Sequence, residues 1–368
     1  MSWAVNTGRR RSGRRRAEAP MAGERAPRLG WCYRPVIPIP TADVDAAVHY
    51  GRGRSSVSGH TVTIFGASGL LGLGTVHRFA RIGSTVRTPY RGDHYDIRHL
   101  KVMGDLGQVV QNFYCVRDKD RVAQLVEGSD IVINLIGRDY ETANFKFEDI
   151  NIDAPRTIAE ACKKAGVKRL VHVSHINADA DSEAKQFSTK RLGELAVLSE
   201  FPEASIVRPS TMYGYDDRFL RWIAHMNRNV LFPGDLVVNG GETVFYPTYA
   251  GDVAQAIQNI AVSPNSSGKV YELVGPKKYT YNEILQIYSD TTGAPISPLN
   301  VPAPIFKAIL RMYELLPSNR LASRSDVYRL SIDETPTPGA LGFGDVGVVP
   351  AELETMALRF LRPYRVVS

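Results

Sequence analysis

The run Thr61-Val-Thr-Ile-Phe65 leads without a break into Gly66-Ala-Ser-Gly69-Leu-Leu-Gly72 and then into a helical pattern. Few chain geometries accommodate a β-branched strand, three glycines at that spacing and a helix in immediate succession. Gly66 suits the tight turn out of the strand, Gly69 lets the backbone come close to a diphosphate, and Gly72 lets the helix pack tightly. The free amides and positive end of the helix dipole then face the anion. Ala67, Ser68, Leu70 and Leu71 complete the segment expected to contact it. A glycine triplet alone is weak evidence. The strand before it, the helix after it and the strand–helix cycles that follow make it a dinucleotide site rather than a plain structural turn.

Those cycles define the fold class. Short β-branched runs at Thr61–Phe65, Thr85–Arg87, Gln111–Val116, Asp130–Ile136, Arg169–Val173 and Ser205–Val207 alternate with helical stretches near Leu70–Ile82, Asp118–Glu127, Phe145–Ala165 and Glu183–Glu200. This alternation predicts an α/β protein with a doubly wound parallel sheet, and Gly83, Gly128 and Gly166 suit left-handed helix ends. Beyond about residue 210 the pattern is irregular, with turn signals at Tyr213-Gly214, Pro233-Gly234 and Asn239-Gly240-Gly241. Helices are expected there over Ala250–Val262, Tyr281–Thr291 and Pro304–Leu316. The expected organisation is a basic, proline-containing extension (1–58), a dinucleotide-binding domain (59–210) and a smaller lobe interleaved with the sheet (211–368).

Cofactor choice follows from the second strand. An NAD site places an acid about twenty residues past the glycine loop, whereas Thr85-Val-Arg87-Thr-Pro-Tyr-Arg91 carries no acid until Asp93. A guanidinium can instead take a 2'-phosphate in a two-pronged contact, which favours NADP(H). Arg91 is the first choice and Arg87 the second, the alternative being two solvated surface arginines. Asp118, after the third strand, is placed for the adenine edge. Asn134, Leu135, Ile136 and Gly137, after the fourth, offer a turn against which the nicotinamide half could lie. Ordinary turn chemistry is the competing reading for both.

The net charge of +7 is carried by residues 1–54, which hold eleven Arg and four acids, so the remaining chain is neutral. Six arginines crowd into Arg9–Arg16 beside Ser, Gly and Ala, a composition that fits an organelle import signal. A nucleic-acid-binding arm is the rival reading, weakened because no aromatic residue is interleaved for stacking. Three cysteines without paired spacing point to a reduced compartment, and eight scattered histidines predict no protein-bound metal. No stretch is long and apolar enough to span a bilayer.

The glycine loop, Asn134-x-x-Gly137, His172-Val-Ser174-His175, Arg208-Pro-Ser210 and Tyr246-Pro-Thr-Tyr-Ala-Gly-Asp252 together resemble the extended and atypical short-chain dehydrogenase/reductase superfamily over roughly residues 60 to 290. A narrower set comprises Pro89-Tyr-Arg91-Gly-Asp93, Asn134-Leu-Ile-Gly137-Arg, Phe147-Glu-Asp-Ile-Asn151, His172-Val-Ser-His-Ile-Asn177 and Asp217-Arg-Phe-Leu220. It resembles the NADPH-binding accessory-subunit family of mitochondrial respiratory complex I. That resemblance implies a Rossmann-like fold, a tightly held NADPH and a mitochondrial location on the matrix side of the inner membrane. It also implies a place in the peripheral arm near the ubiquinone module, with other complex I subunits and the membrane surface as neighbours and no nucleic-acid partner.

Enzymes of the superfamily use a Tyr-x-x-x-Lys pair, in which the lysine holds the ribose and the phenol exchanges a proton. Here Lys190 stands at the lysine position but Gln186 stands at the tyrosine position, and an amide is neither acid nor base near neutral pH. His175 aligns with the usual serine, with Ser174 one residue earlier. Lys190 and Ser174 are therefore expected to touch cofactor without catalysing. A histidine at a strand end is more often structural than catalytic, and neither Tyr213 nor Tyr246 is assigned a role. The expectation is a non-catalytic NADPH-binding subunit. An NADP-dependent reductase or epimerase with an altered acid, and a nucleic-acid-associated or redox-sensing protein, are the alternatives. Pro304–Leu316 has a broad apolar face that suits a lipid surface, a partner groove or, more simply, the core of the second lobe.

Overall fold

The β-branched runs form seven parallel strands, described in a computed structural model that covers residues 58–142, 144–215, 217–227, 235–314 and 324–366. The arginine-rich arm, the proline segment at 34–40 and Leu316 lie outside the described residues. The strands are β1 (Thr61–Phe65), β2 (Thr85–Tyr90), β3 (Val109–Phe113), β4 (Ile131–Asn134), β5 (Arg169–Val173), β6 (Ser205–Pro209) and β7 (Val270–Leu273), in the spatial order β7-β6-β5-β4-β1-β2-β3. Chain order reverses between β1 and β4, the place where a doubly wound sheet opens its crevice. Phe65 pairs with Asn134 in that register, so the two strands end side by side.

Alternation within each strand builds two apolar layers. Val62 and Ile64 face α1 (Leu70–Arg81) and α6 (Ala250–Val262), in a core with Val76, Phe79, Val253 and Ile257. Phe65 and Val132 face the opposite way, toward α2 (Lys119–Val126), α3 (Ala154–Ala165) and α4 (Lys185–Glu200), where Leu125, Ile158, Cys162 and Val197 are buried. A third core draws on residues between Tyr213 and Leu361. There α5 (Leu220–Asn227), α7 (Tyr281–Thr292), α8 (Ala303–Glu314), α9 (Arg324–Ser331) and α10 (Leu353–Leu361) gather around Trp222, Phe245, Tyr288, Phe306, Leu310 and Phe360. Phe306 and Leu310 are wholly buried, which makes α8 a core helix on that face, while Ile305 stays exposed. Among the described residues no helix is long and apolar enough to cross a membrane.

The structure departs from expectation in two places. The sheet has a seventh strand, β7, supplied by a segment beyond residue 210. On its outward side Tyr271 bridges to Leu341 and the Glu272 amide donates to the Leu341 carbonyl, so the C-terminal segment covers the sheet edge. The helix expected over Phe145–Ala165 runs from Phe147, but it contains one wide π turn at Asp149–Asp153 before the regular α3. Asn151 in that turn donates to Thr189 Oγ1 of α4 at 3.0 Å, and Asp149 accepts from the Lys146 amide at 2.9 Å.

A buried polar chain ties these parts together. Glu194 of α4 accepts from Arg208 of β6 through both oxygens at 3.0 and 2.7 Å and from Arg191 at 2.6 Å. Arg208 also approaches Glu272 of β7, which accepts from the Thr337 amide at 2.8 Å. Burial pushes the Glu194 carboxyl up, but the Arg208 and Arg191 hydrogen bonds hold it below the usual carboxylate range. Breaking one side of such a pair leaves a charge without compensation. Glu194→Ala is therefore expected to lower stability by about 3–5 kcal/mol, read as a shift of the urea midpoint without loss of secondary structure in water.

Candidate nucleotide site

The site begins where β1 stops. Gly66 adopts φ +82°, and a Cβ there would stand 2.9 Å from the Leu135 carbonyl carbon and oxygen and 3.1 Å from the Ile136 nitrogen. Only glycine lets the β1 and β4 exits press together like this. Gly69 closes the turn by donating its amide to the Gly66 carbonyl and then caps α1 without a side chain. The first amides of α1 thus have no side-chain acceptor, and no acid lies in the first turn to offset the dipole. A Cβ on Gly72 would meet the Ala67 and Gly66 backbone at 2.5 Å, so the third glycine brings the helix onto the turn itself. Ala67, Ser68, Leu70 and Leu71 line this same bend, and the arrangement fits a diphosphate.

On the β4 side, Asn134 Oδ1 accepts from the Ile136 amide at 3.1 Å, which shapes the Asn134–Gly137 turn. The Asn134 amide nitrogen lies 3.1 Å from His172 Nδ1 of β5. Burial pushes His172 down to about 4, so its ring is neutral and accepts the hydrogen bond from Asn134. Leu135 and Ile136 contribute backbone to the crevice wall, and Gly137 has open space around its Cα.

The two arginines of β2 separate. Arg87 is buried, and its guanidinium donates to the Leu125 and Glu127 carbonyls, closing the C-terminal end of α2. Desolvation lowers its pKa, with Glu127 opposing. Its work is a helix end, and it does not stand with the nucleotide residues. Arg91, at the β2 exit, is exposed and lies over the Phe145 ring at 4.5 Å. Arg117, at the β3 exit, lies over the same ring at 4.4 Å, donates to the Asn144 carbonyl and pairs with Asp149. Among the described residues no carboxylate pairs with Arg91. Asp118 caps α2 by accepting from the Arg121 amide at 3.0 Å. Arg117 and Phe145 went unread in the sequence, although Arg117 stands beside Asp118 in the same exit loop.

At the other half of the crevice, Ser174 is buried beside the Glu194 carboxylate. Burial lowers Lys190, which Asp139 and Glu194 hold up. Burial pushes His175 down to about 3, and its Nδ1 accepts from the Asn177 amide. It is a neutral structural ring, stacked near Phe187 at 5.0 Å, and no proton donor at neutral pH. Gln186 is 6% exposed and donates from Nε2 to the Ser325 carbonyl of α9 at 3.4 Å, while its Oε1 meets no partner among the described residues. Around it, Arg218 and Arg329 both pair with Asp326, and Arg218 also lies over Tyr140 at 4.9 Å. One turn before Lys190, the Gln186 amide stands where a proton-transferring phenol would be needed.

Residues 62–273 match the family model described as the NAD dependent epimerase/dehydratase family. The chain is 40% identical over 321 residues to the rat protein named NADH dehydrogenase (ubiquinone) 1 alpha subcomplex subunit 9, mitochondrial, covering 87% of this chain and 85% of that one. The chain belongs to this subunit family. It is 41% identical over 313 residues to the Neurospora crassa NADH-ubiquinone oxidoreductase 40 kDa subunit, mitochondrial, covering 85% and 82% of the two chains. Triphenylmethane reductase of Citrobacter shares the fold, with a TM-score of 0.63 at 16% identity over 82% of this chain and 99% of that one.

The neutral, desolvated His172 and His175 set a pH dependence. Both have folded pKa values below 6.5, so their contribution is complete above that pH and declines as pH falls toward 4, where the unfolded chain binds protons that the fold refuses. The expected loss is about 1.4 kcal/mol per pH unit for each ring, less for His175, which keeps an edge to solvent. Urea unfolding at pH 7, 6 and 5 checks it, with His175→Gln expected to flatten the slope by about one proton.

Proposed function

We propose that this chain holds NADPH without turning it over, as an accessory subunit of respiratory complex I in the mitochondrion. It would sit on the matrix side of the inner membrane, in the peripheral arm near the quinone module. Membership in the subunit family supports the assembly. The observation that carries the non-catalytic reading is the pairing of an intact diphosphate bend, Gly66 to Gly72, with an amide at position 186.

A bound reduced nicotinamide would supply a hydride. The amides of α1 would grip the diphosphate, Arg91 would hold the 2'-phosphate, the Asn134–Gly137 turn would support the nicotinamide half, and Lys190 would bind the ribose hydroxyls. Neither Gln186 nor a neutral His175 can deliver the accompanying proton, a deficit of roughly a hundred- to ten-thousandfold in rate. Bound nucleotide instead stabilises the fold by mass action, which supports assembly of neighbouring subunits and of the membrane-facing surface.

Native mass spectrometry of the assembly from mitochondria is expected to show this chain co-migrating with other complex I subunits and carrying one NADPH mass. Brisk ketone or nucleotide-sugar turnover by the purified chain would instead favour an active reductase. Arg91→Ala is expected to weaken NADPH roughly tenfold to a hundredfold while leaving NADH nearly unchanged, measured by calorimetric titration.

A further inference from the structure

Two guanidiniums share one ring at the exits of β2 and β3. Phe145 is buried, and Arg91 and Arg117 lie over it at 4.5 and 4.4 Å. The ring's own backbone is fixed, since the Phe145 amide donates to Thr142 Oγ1 at 3.2 Å and its carbonyl accepts from the Thr142 amide at 3.0 Å. Arg117 is committed further. It donates to the Asn144 carbonyl at 2.7 Å and pairs at 3.3 Å with Asp149, the residue that opens the π turn and also accepts from the Lys146 amide. The exposed Arg91 is held by the ring and by no carboxylate among the described residues. A cation over a ring face is attracted by that face while its N–H groups remain able to donate. Burial pushes the Tyr114 phenol up and the nearby Arg91 charge opposes it, and the Tyr114 ring packs edge-on against Phe65, the last residue of β1. Arg91 is thereby set close to the strand that feeds the glycine bend.

We propose that Phe145, in the connection between β4 and α3, determines nucleotide specificity: its ring seats the Arg91 guanidinium for a 2'-phosphate, so that a residue distant in sequence sets the preference expressed at the β2 exit. This rests on the reading that Arg91 takes the 2'-phosphate of NADPH. Phe145 acts through Arg91, which makes it a positioning residue. An exposed arginine ordinarily gives up rotamer freedom when it grips a phosphate, and one already seated on a ring gives up less. Arg117, tied to Asn144 and Asp149, anchors the ring to the β3 exit, so the platform stays in place when Arg91 engages an anion.

The test is a double-mutant cycle on the full chain, titrated calorimetrically with NADPH and with NADH, which differ at the 2'-phosphate alone. Phe145→Leu keeps an apolar side chain in the buried position and removes the ring. It is expected to weaken NADPH about threefold to tenfold and to leave NADH within about twofold. Phe145→Tyr restores a ring and is expected to keep both affinities within about twofold of the wild type. Added to Arg91→Ala, Phe145→Leu is expected to weaken NADPH by less than about twofold more, because the cation through which the ring acts is gone. An unchanged NADPH affinity in Phe145→Leu overturns the assignment. So does equal weakening of both nucleotides, which would mark a purely structural residue, and so does a full effect of Phe145→Leu in the Arg91→Ala background. A wild type that binds NADPH and NADH equally overturns the 2'-phosphate reading itself, and this inference with it.

Discussion

Everything at the crevice depends on backbone packed against backbone between Gly66 and Leu135. Because no side chain stands between the β1 and β4 exits, the turn after β1 is pulled tight and the first amides of α1 are left pointing outward without a capping side chain. Those amides are open to water or to an anion, and the positive end of the helix dipole favours the anion. That preference comes from geometry and a dipole, and the scaffold that supplies them is the ordinary register of two neighbouring parallel strands.

Around that bend the electrostatics divide into two regions of different character. The exits of β2 and β3 are open, with the exposed Arg91 and Arg117 both set over Phe145. The region around α4 and α9 is internally balanced, with Lys190 near Asp139 and Glu194, and Asp326 between Arg218 and Arg329. An open cationic end suits recognition of a phosphate. Neutral histidines and paired charges at the other end suit the proposed retention of a nucleotide more than turnover of a substrate.

Local signals made much of this legible before any coordinates. The glycine loop, β1, β5 and the helix over Ala250–Val262 lie where residue pattern puts them, since strand period, helix period and turn chemistry act over a few residues. What escaped the sequence depends on distant partners. β7 is four residues with a buried glutamate, and it is a strand because Arg208 and the chain near Leu341 receive it. Arg87 and Arg91 look alike in sequence, yet one meets the end of α2 and the other meets Phe145. Gln186 was legible as a missing phenol from its spacing to Lys190, while its bond to Ser325 spans 139 positions and leaves no local trace.

The account's central claim is that the Gly66–Gly72 bend grips a diphosphate, and a density map of the protein prepared with NADPH tests it most directly. The account predicts diphosphate oxygens within hydrogen-bonding reach of the amides at Gly69 to Leu71, with the adenosine running toward Arg91. A map with the nucleotide seated elsewhere, or with side chains packed into the bend, would contradict it.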